Sequence, residues 1–223
     1  RSRRARVSYR STERGYQIRG WVGQCGRGDP PRLRTLRRSI PMWVEDAWNG
    51  LGGRLRRLLD GVRCDLVELD RRVQELDEEL EAIAKAHPVA QRLQQLRGAG
   101  PLTATALIAT VGNGEQFARG RDLAVSLGLT PKQHSTGGKE RLLGISKRGD
   151  PYLRSLLVHG GRAALYAARN KDDRLSVWVK NLAARSHPNV AAVAWANKTA
   201  RMAWSMIRHG TDYQPERATS RVA

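Results

Sequence analysis

The side chains best suited to chemistry gather between Gly128 and Asp150. The stretch reads Gly128-Leu129-Thr130-Pro131-Lys132-Gln133-His134-Ser135-Thr136-Gly137-Gly138-Lys139-Glu140-Arg141 and resumes as Ile145-Ser146-Lys147-Arg148-Gly149-Asp150. It is a polar, Gly-rich loop with two adjacent hydroxyls, Ser135 and Thr136, and four cations, Lys139, Arg141, Lys147 and Arg148. Phosphoryl transfer needs that pairing: a nucleophilic oxygen, and positive charge to stabilise the phosphorane. The same groups can grip phosphates without reacting. Ser-Thr-Gly-Gly is also ordinary turn sequence, so residue types alone leave catalysis, binding and plain turn open.

A second phosphate-competent segment precedes it, Leu96-Arg97-Gly98-Ala99-Gly100-Pro101-Leu102-Thr103-Ala104. Glycines permit positive φ and leave the backbone bare. Pro101 suits the first turn of a helix, and the free amides at such a start can take a phosphate oxygen. With a short helix over Val89–Leu96 before it, the segment reads as a helix–hairpin–helix that contacts backbone rather than bases through Gly98, Gly100 and Thr103. A Gly-rich turn between packed helices is the plainer alternative.

These segments need elements to hold them. Asp150-Pro151 is an N-cap followed by a first-turn proline. The helix after it buries Leu153, Leu156, Leu157 and Leu165, and Arg154 and Arg162 are candidates for a basic face. Residues 116–129 read as one amphipathic helix around Phe117, Leu123, Leu127 and Leu129. Further helices are predicted over 173–185 and 189–208; in the last, Asn197, Lys198 and Arg201 share a face away from Val190, Val193, Trp204 and Ile207. Upstream, Leu55, Leu59, Val62, Leu66, Leu69, Val73, Leu76, Leu80 and Ile83 repeat at alternating steps of 4 and 3, an a/d heptad seam bounded by Gly52-Gly53 and Pro88. So narrow a seam suits one partner helix, in a second copy or in the same chain. Residues 13–41 show no strong period and are interrupted by Pro30-Pro31 and Pro41, while 46–51 suggest a short helix.

Composition limits the function classes. The 223 residues carry 40 Lys plus Arg against 21 Asp plus Glu, a formal charge of +19. Two basic regions, 1–64 and 87–223, flank an acidic one at 65–86. A pI near 11.2 points to a polyanion, most simply nucleic acid. Two cysteines exclude a disulfide scaffold and a cysteine-based zinc site, and fit a reducing cytoplasm. No apolar run is long enough for a membrane span.

Residues 96–209 resemble the C-terminal domain of insertion-sequence transposases of the one-hundred-and-ten type, most closely the eleven-eleven subgroup. The carrying strings are Gly98-x-Gly100-Pro101, Leu127-Gly128-Leu129-x-Pro131, His134-Ser135-Thr136-Gly137-Gly138-Lys139, Gly144-Ile145-Ser146-Lys147-Arg148-Gly149-Asp150-x-Tyr152-Leu153-Arg154 and Asn197-Lys198-x-Ala200-Arg201. Gln17-Ile18-Arg19-Gly20, Leu36-Arg37-Arg38-x-Ile40-Pro41 and the heptads extend the likeness upstream. The resemblance implies DNA transposition by strand exchange through a transient 5′-phosphoserine. It further implies guidance by a non-coding bridge RNA and assembly through coiled coils. The matching strings put the serine at Ser135, with Thr136 or Ser146 as alternatives. Lys139, Arg141, Lys147, Arg148 and Arg154 would hold the scissile and neighbouring phosphates, and Lys198 and Arg201 join them as DNA-binding candidates. In the family, an N-terminal RuvC-like domain supplies an Asp-Glu-Asp-Asp metal set. That domain would precede residue 16, so the chain reads as a truncated form, inactive alone, with no metal ligands or cofactor of its own; Mg2+ is expected only with the missing domain.

The expected fold is mainly α: a long coiled-coil helix, then a compact helical domain containing the helix–hairpin–helix and the polar Gly-rich loop. The expected divisions are 1–15 as disorder or a truncation scar, 16–52 as a basic linker, 53–86 as coiled coil, 87–209 as the transposase domain and 210–223 as a flexible tail. Expected partners are DNA, the bridge RNA and a second copy joined through 55–83, in a cytoplasmic, nucleoid-associated setting without a membrane. The competing reading is a non-catalytic module that grips DNA or RNA backbone, or a decayed remnant.

Overall fold

A computed structural model describes residues 33–134 and 142–216. Among these residues the protein is mainly α, with eight α-helices and one two-stranded antiparallel sheet. The chain divides into two compact units, residues 1–76 and 77–223, and each is described by itself.

In the first unit α1 runs Leu33–Glu45 and α2 begins at Gly53. The helix passes through Pro41, where the sequence suggested a break, and residues 46–51 form turns where it suggested a helix. Pro41 removes one N–H from the ladder, but Ile40, only 1 % exposed, keeps the inner face of α1 anchored. The turn after α1 is closed by side chains. Asn49 donates Nδ2 to the Trp43 carbonyl at 2.7 Å and accepts from the Leu51 amide at 3.1 Å. Arg56 donates to the carbonyls of Val44 and Asp46, at 2.7 and 2.6 Å. These bonds supply partners for carbonyls that a helix end leaves orphaned.

Helix α2 spans Gly53–Ala86, 34 residues or about 50 Å at 1.5 Å per residue. Its surface is laced with ion pairs, notably Glu68 with Arg71 and Arg72 at 2.8 and 2.7 Å. Hydrogen bonds from those two guanidinium groups hold the Glu68 carboxyl down to about 2. Along the heptad seam, Leu69, Val73, Leu76 and Ile83 remain exposed.

The second unit holds the main core. Helices α3 (Pro88–Leu93), α4 (Pro101–Val111), α5 (Gly120–Ser126), α6 (Pro151–Ala167) and α8 (Pro188–His209) bury Leu93, Leu107, Leu123, Leu153 and Leu157 with a run of alanines. Helix α7 (Arg174–Arg185) covers a smaller cluster around Val179 and Trp195. Small residues let backbones approach. A Cβ on Gly98 would overlap the Gly160 carbonyl, and one on Gly161 the Ala192 carbonyl. Gly98 also sits at φ +91. The predicted helix over 116–129 is shorter. Phe117 lies in the turn before it, and α5 starts only where the Arg119 amide donates to the Asp122 carboxylate at 2.9 Å.

Strand β1 (Pro131–Gln133) pairs with β2 (Leu142–Ile145), Pro131 opposite Ile145 and Gln133 opposite Leu142. The first residues of the expected tail are docked: Arg92 donates to the Gly210 carbonyl at 2.6 Å, and the Tyr213 amide donates to Gln95 at 2.8 Å. No helix among the described residues is long and apolar enough to cross a membrane.

Candidate nucleic-acid interface

Ser135, Thr136, Lys139 and Arg141 fall in the segment joining β1 to β2 and lie outside the described residues. What the structure defines is the base of that hairpin. Helix α5 ends in a Schellman motif: the Leu129 amide donates to Ala124, the Gly128 amide donates to Val125, and Gly128 takes φ +66. The Ser146 and Lys147 amides return to the Thr130 and Gly128 carbonyls at 2.8 and 3.2 Å, fixing the end of β2 on the start of β1. Lys147 has φ 56, the left-handed region that side chains rarely occupy. Gly149 takes φ +84 and touches the Ser126 carbonyl so closely that no Cβ could fit. Asp150 then caps α6, its carboxylate accepting from the Tyr152 and Leu153 amides at 2.7 and 3.2 Å.

Arg154 closes this junction. Its guanidinium donates to the Leu127 carbonyl at 3.0 Å and to the Arg148 carbonyl at 3.3 Å. The side chain named as a phosphate ligand is thus engaged in tying both ends of the hairpin to α6. Lys147 and Arg148 are exposed beside it.

Against the hairpin lies an open groove of about 1080 Å³. Its floor is apolar, from Leu129, Pro131, Val190 and Val193, and among the described residues its lining carries Arg119, Arg121, Lys198 and Arg201 against one acid, Asp212. Four cations facing one carboxylate favour an anion. Gly120 brings the arginines together: an added Cβ would stand 2.8 Å from the Arg201 carbonyl, so only glycine lets the start of α5 rest on α8. Asn197 donates to the Leu129 carbonyl at 3.2 Å and fastens the hairpin to α8. Lys198 lies over the Trp178 ring, its Nζ 4.7 Å from the centroid. Burial, and then the nearby Arg201 charge, push its ammonium below the ordinary lysine range. A phosphate would restore the balance that burial upsets.

The other predicted contacts sit apart from this groove. Gly98 backs onto Gly160, Thr103 is 7 % exposed, and Gly100 is the exposed N-cap of α4. The Gly98 turn is held from beneath by Arg97, whose carbonyl accepts from Trp195 Nε1 at 3.1 Å. The Arg97 guanidinium donates to Ser176 and Asp173 at 2.6 and 3.1 Å. Burial pushes the Asp173 carboxyl upward, but hydrogen bonds from Ser176 and Arg97 outweigh it and hold the group below its usual value. Sequence reasoning took Trp178 as core and passed over Arg119 and Arg121. Two arginines flanking a glycine at a helix start were the available signal for the latter pair. Among the described residues no group of three or more His, Cys, Asp or Glu is placed to hold a metal ion.

Residues 90–175 match the family model described as Transposase IS116/IS110/IS902 family. The chain is 40 % identical over 198 residues to a transposase for insertion sequence element IS1111A of Coxiella burnetii, covering 89 % of this chain and 54 % of that protein. A probable family 20 transposase of Pseudomonas aeruginosa is 39 % identical over 89 % of this chain and 59 % of its own length. A transposase for insertion sequence element IS1328 of Yersinia enterocolitica is 41 % identical over 70 % of this chain and 47 % of its own. The chain therefore spans roughly half of the length of these curated relatives. The domain match, and this level of identity along nearly the whole chain, identify residues 90–175 as a domain of the IS116/IS110/IS902 transposase family.

Proposed function

We propose that this chain is the DNA-engaging and nucleophile-bearing part of a transposase that moves an insertion sequence. The observation that carries the reading is the groove at the hairpin base, where the described residues set Arg119, Arg121, Lys198 and Arg201 against one acid, in a chain 40 % identical to a named transposase. The DNA backbone lies along these cations, and the contacts position the strand without reading its sequence. Ser135, in the segment between β1 and β2, attacks a phosphodiester through Oγ. The Oγ–P bond forms, the P–O3′ bond breaks, and the serine proton ends on the departing 3′ oxygen. A 3′-hydroxyl from the other DNA end then attacks the phosphoserine and restores the serine. Preorganised cations around the phosphate supply the charge stabilisation. By resemblance, a RuvC-like domain brings the acidic metal set, and a bridge RNA directs the choice of ends. The exposed Leu69, Val73, Leu76 and Ile83 of α2 support pairing with a second copy.

The test joins this chain to a RuvC-like domain and a cognate DNA end. Ser135→Ala abolishes a covalent protein–DNA adduct while leaving DNA affinity within about twofold. Affinity falls about tenfold or more between 50 and 200 mM salt. An adduct that survives Ser135→Ala removes Ser135 from the role. No adduct with the unsubstituted protein, alongside the same steep salt response, reduces the chain to a backbone-binding module.

A further inference from the structure

Helix α6 leaves one face unused by the core or by the groove. Tyr152, Ser155, His159, Arg162, Tyr166 and Arg169 follow at alternating steps of 3 and 4 along α6 and the short 3-10 turn Ala168–Asn170, and every one is exposed. Tyr152 and Tyr166 are 55 % and 72 % exposed. Single exposed apolar rings need no explanation. Two tyrosines and two arginines in register on one exposed helix face are a different case, because no side-chain hydrogen bond or core contact among the described residues accounts for the tyrosines. Residues 151–170 contain no Asp or Glu, so the face is purely cationic. Arg169 lies over the Tyr166 ring, 5.0 Å from its centroid, which braces the ring and leaves most of it open to solvent.

We propose that this face of α6 holds an unpaired DNA strand, with Tyr152 and Tyr166 as base-stacking platforms and Arg162 and Arg169 on the phosphates. Aromatic rings interleaved with cations are the chemistry of single-strand binding: each base offers a π-face to stack, and the backbone follows the charge. A duplex buries its base faces and presents phosphates and groove edges, to which an exposed ring contributes little. The two tyrosines are fourteen residues apart, about 21 Å along the helix, a span suited to a strand several nucleotides long. The face starts at the Asp150 cap, immediately after Lys147 and Arg148, so a strand leaving the hairpin base meets Tyr152 first. The inference rests on the strand-exchange reading, since breaking a duplex at that base is what would release an unpaired strand there.

The test is fluorescence anisotropy of the full chain with a short DNA oligonucleotide, the RNA of the same sequence, and the DNA duplex. Tyr152→Ala and Tyr166→Ala each weaken binding of the single DNA strand by about five- to a hundredfold. The matching phenylalanine variants retain it, and duplex affinity stays within about twofold. Arg162→Ala lowers the salt slope of single-strand binding by about 0.7. Equal losses on strand and duplex overturn the proposal, as does no loss on either, or a sensitivity confined to RNA. The phenylalanine variants and thermal melts separate lost stacking from lost fold. If Ser135 forms no adduct but the tyrosine-dependent strand binding is present, strand exchange fails and the surface stands. If the adduct forms and the tyrosines are silent, the surface alone fails.

Discussion

Arg154 distinguishes a phosphate ligand from a positioning residue. Arg154→Ala removes a charged donor from two carbonyls, Leu127 at 3.0 Å and Arg148 at 3.3 Å. A hydrogen bond from a charged group contributes about 1.5–3 kcal/mol, and the longer bond adds less. The Leu127 carbonyl lies at the C-terminal end of α5 beside a nearly buried residue, so losing its partner carries a desolvation cost of about 1–3 kcal/mol that overlaps this figure rather than adding to it. The net expectation is a loss of about 2–4 kcal/mol. Urea unfolding followed by circular dichroism reads it as a lower midpoint at unchanged m-value. At a temperature where both proteins are folded, the salt slope of duplex DNA binding stays within error, because the half-buried Arg154 guanidinium is engaged with the two carbonyls. Stability unchanged to within about 0.5 kcal/mol, together with a salt slope reduced by about 1, would refute this reasoning and make Arg154 a phosphate contact.

Three further outcomes follow from particular contacts. Gly160→Ala drives a Cβ onto the Gly98 carbonyl, with the carbonyl carbon at 2.9 Å; the forced separation costs about 1–3 kcal/mol, seen as a lower melting temperature, and an unchanged melt would mean that this crossing is loose. Lys198 has its folded pKa lowered, so the folded state binds fewer protons than the unfolded state and stability rises with pH through that lowered value toward the ordinary 10.5. Lys198→Met flattens this alkaline rise in urea midpoints and weakens DNA binding at neutral pH; an identical pH profile in the two proteins counts against the burial of Lys198. The Glu68 carboxyl, held by Arg71 and Arg72, stays ionised in the folded protein as pH falls until about 2, so its stabilising contribution is fully present above the ordinary carboxylate pKa and is lost progressively as pH falls from there to about 2; a carboxyl NMR titration with an ordinary midpoint would dissolve those ion pairs.

Helix type and extent were legible where one period ran unopposed. The heptad seam, with Gly53 at one end and Pro88 beyond the other, marks α2 to its termini. Asp150-Pro151 marks the start of α6, where the carboxylate does cap two amides. Pro41 misled because propensity is local, whereas Ile40 and the Arg56 hydrogen bonds that hold α1 are tertiary. Residues 116–118 misled because Phe117 has an apolar side chain at helical spacing but lies in the turn that Gly112 and Gly114 begin. For the candidate site, the sequence named Lys198 and Arg201 through their shared helix face. The grouping with Arg119 and Arg121 depends on Gly120 resting against Arg201, a contact between residues 81 apart in sequence that no local pattern carries. Arg154 shows the converse. Its charge was plain, but only the fold reveals that one of its guanidinium nitrogens donates to both the Leu127 and the Arg148 carbonyls.

The oxygen that takes the DNA decides between strand exchange by serine and any other chemistry at this hairpin. Trapping the covalent adduct in a complex that supplies the RuvC-like domain, digesting both protein and DNA, and sequencing the modified peptide by mass spectrometry would locate the nucleotide. A 5′-linked nucleotide is expected on Ser135, within the peptide between Gln133 and Leu142. A nucleotide on Ser146, or on a residue away from this hairpin, would contradict it.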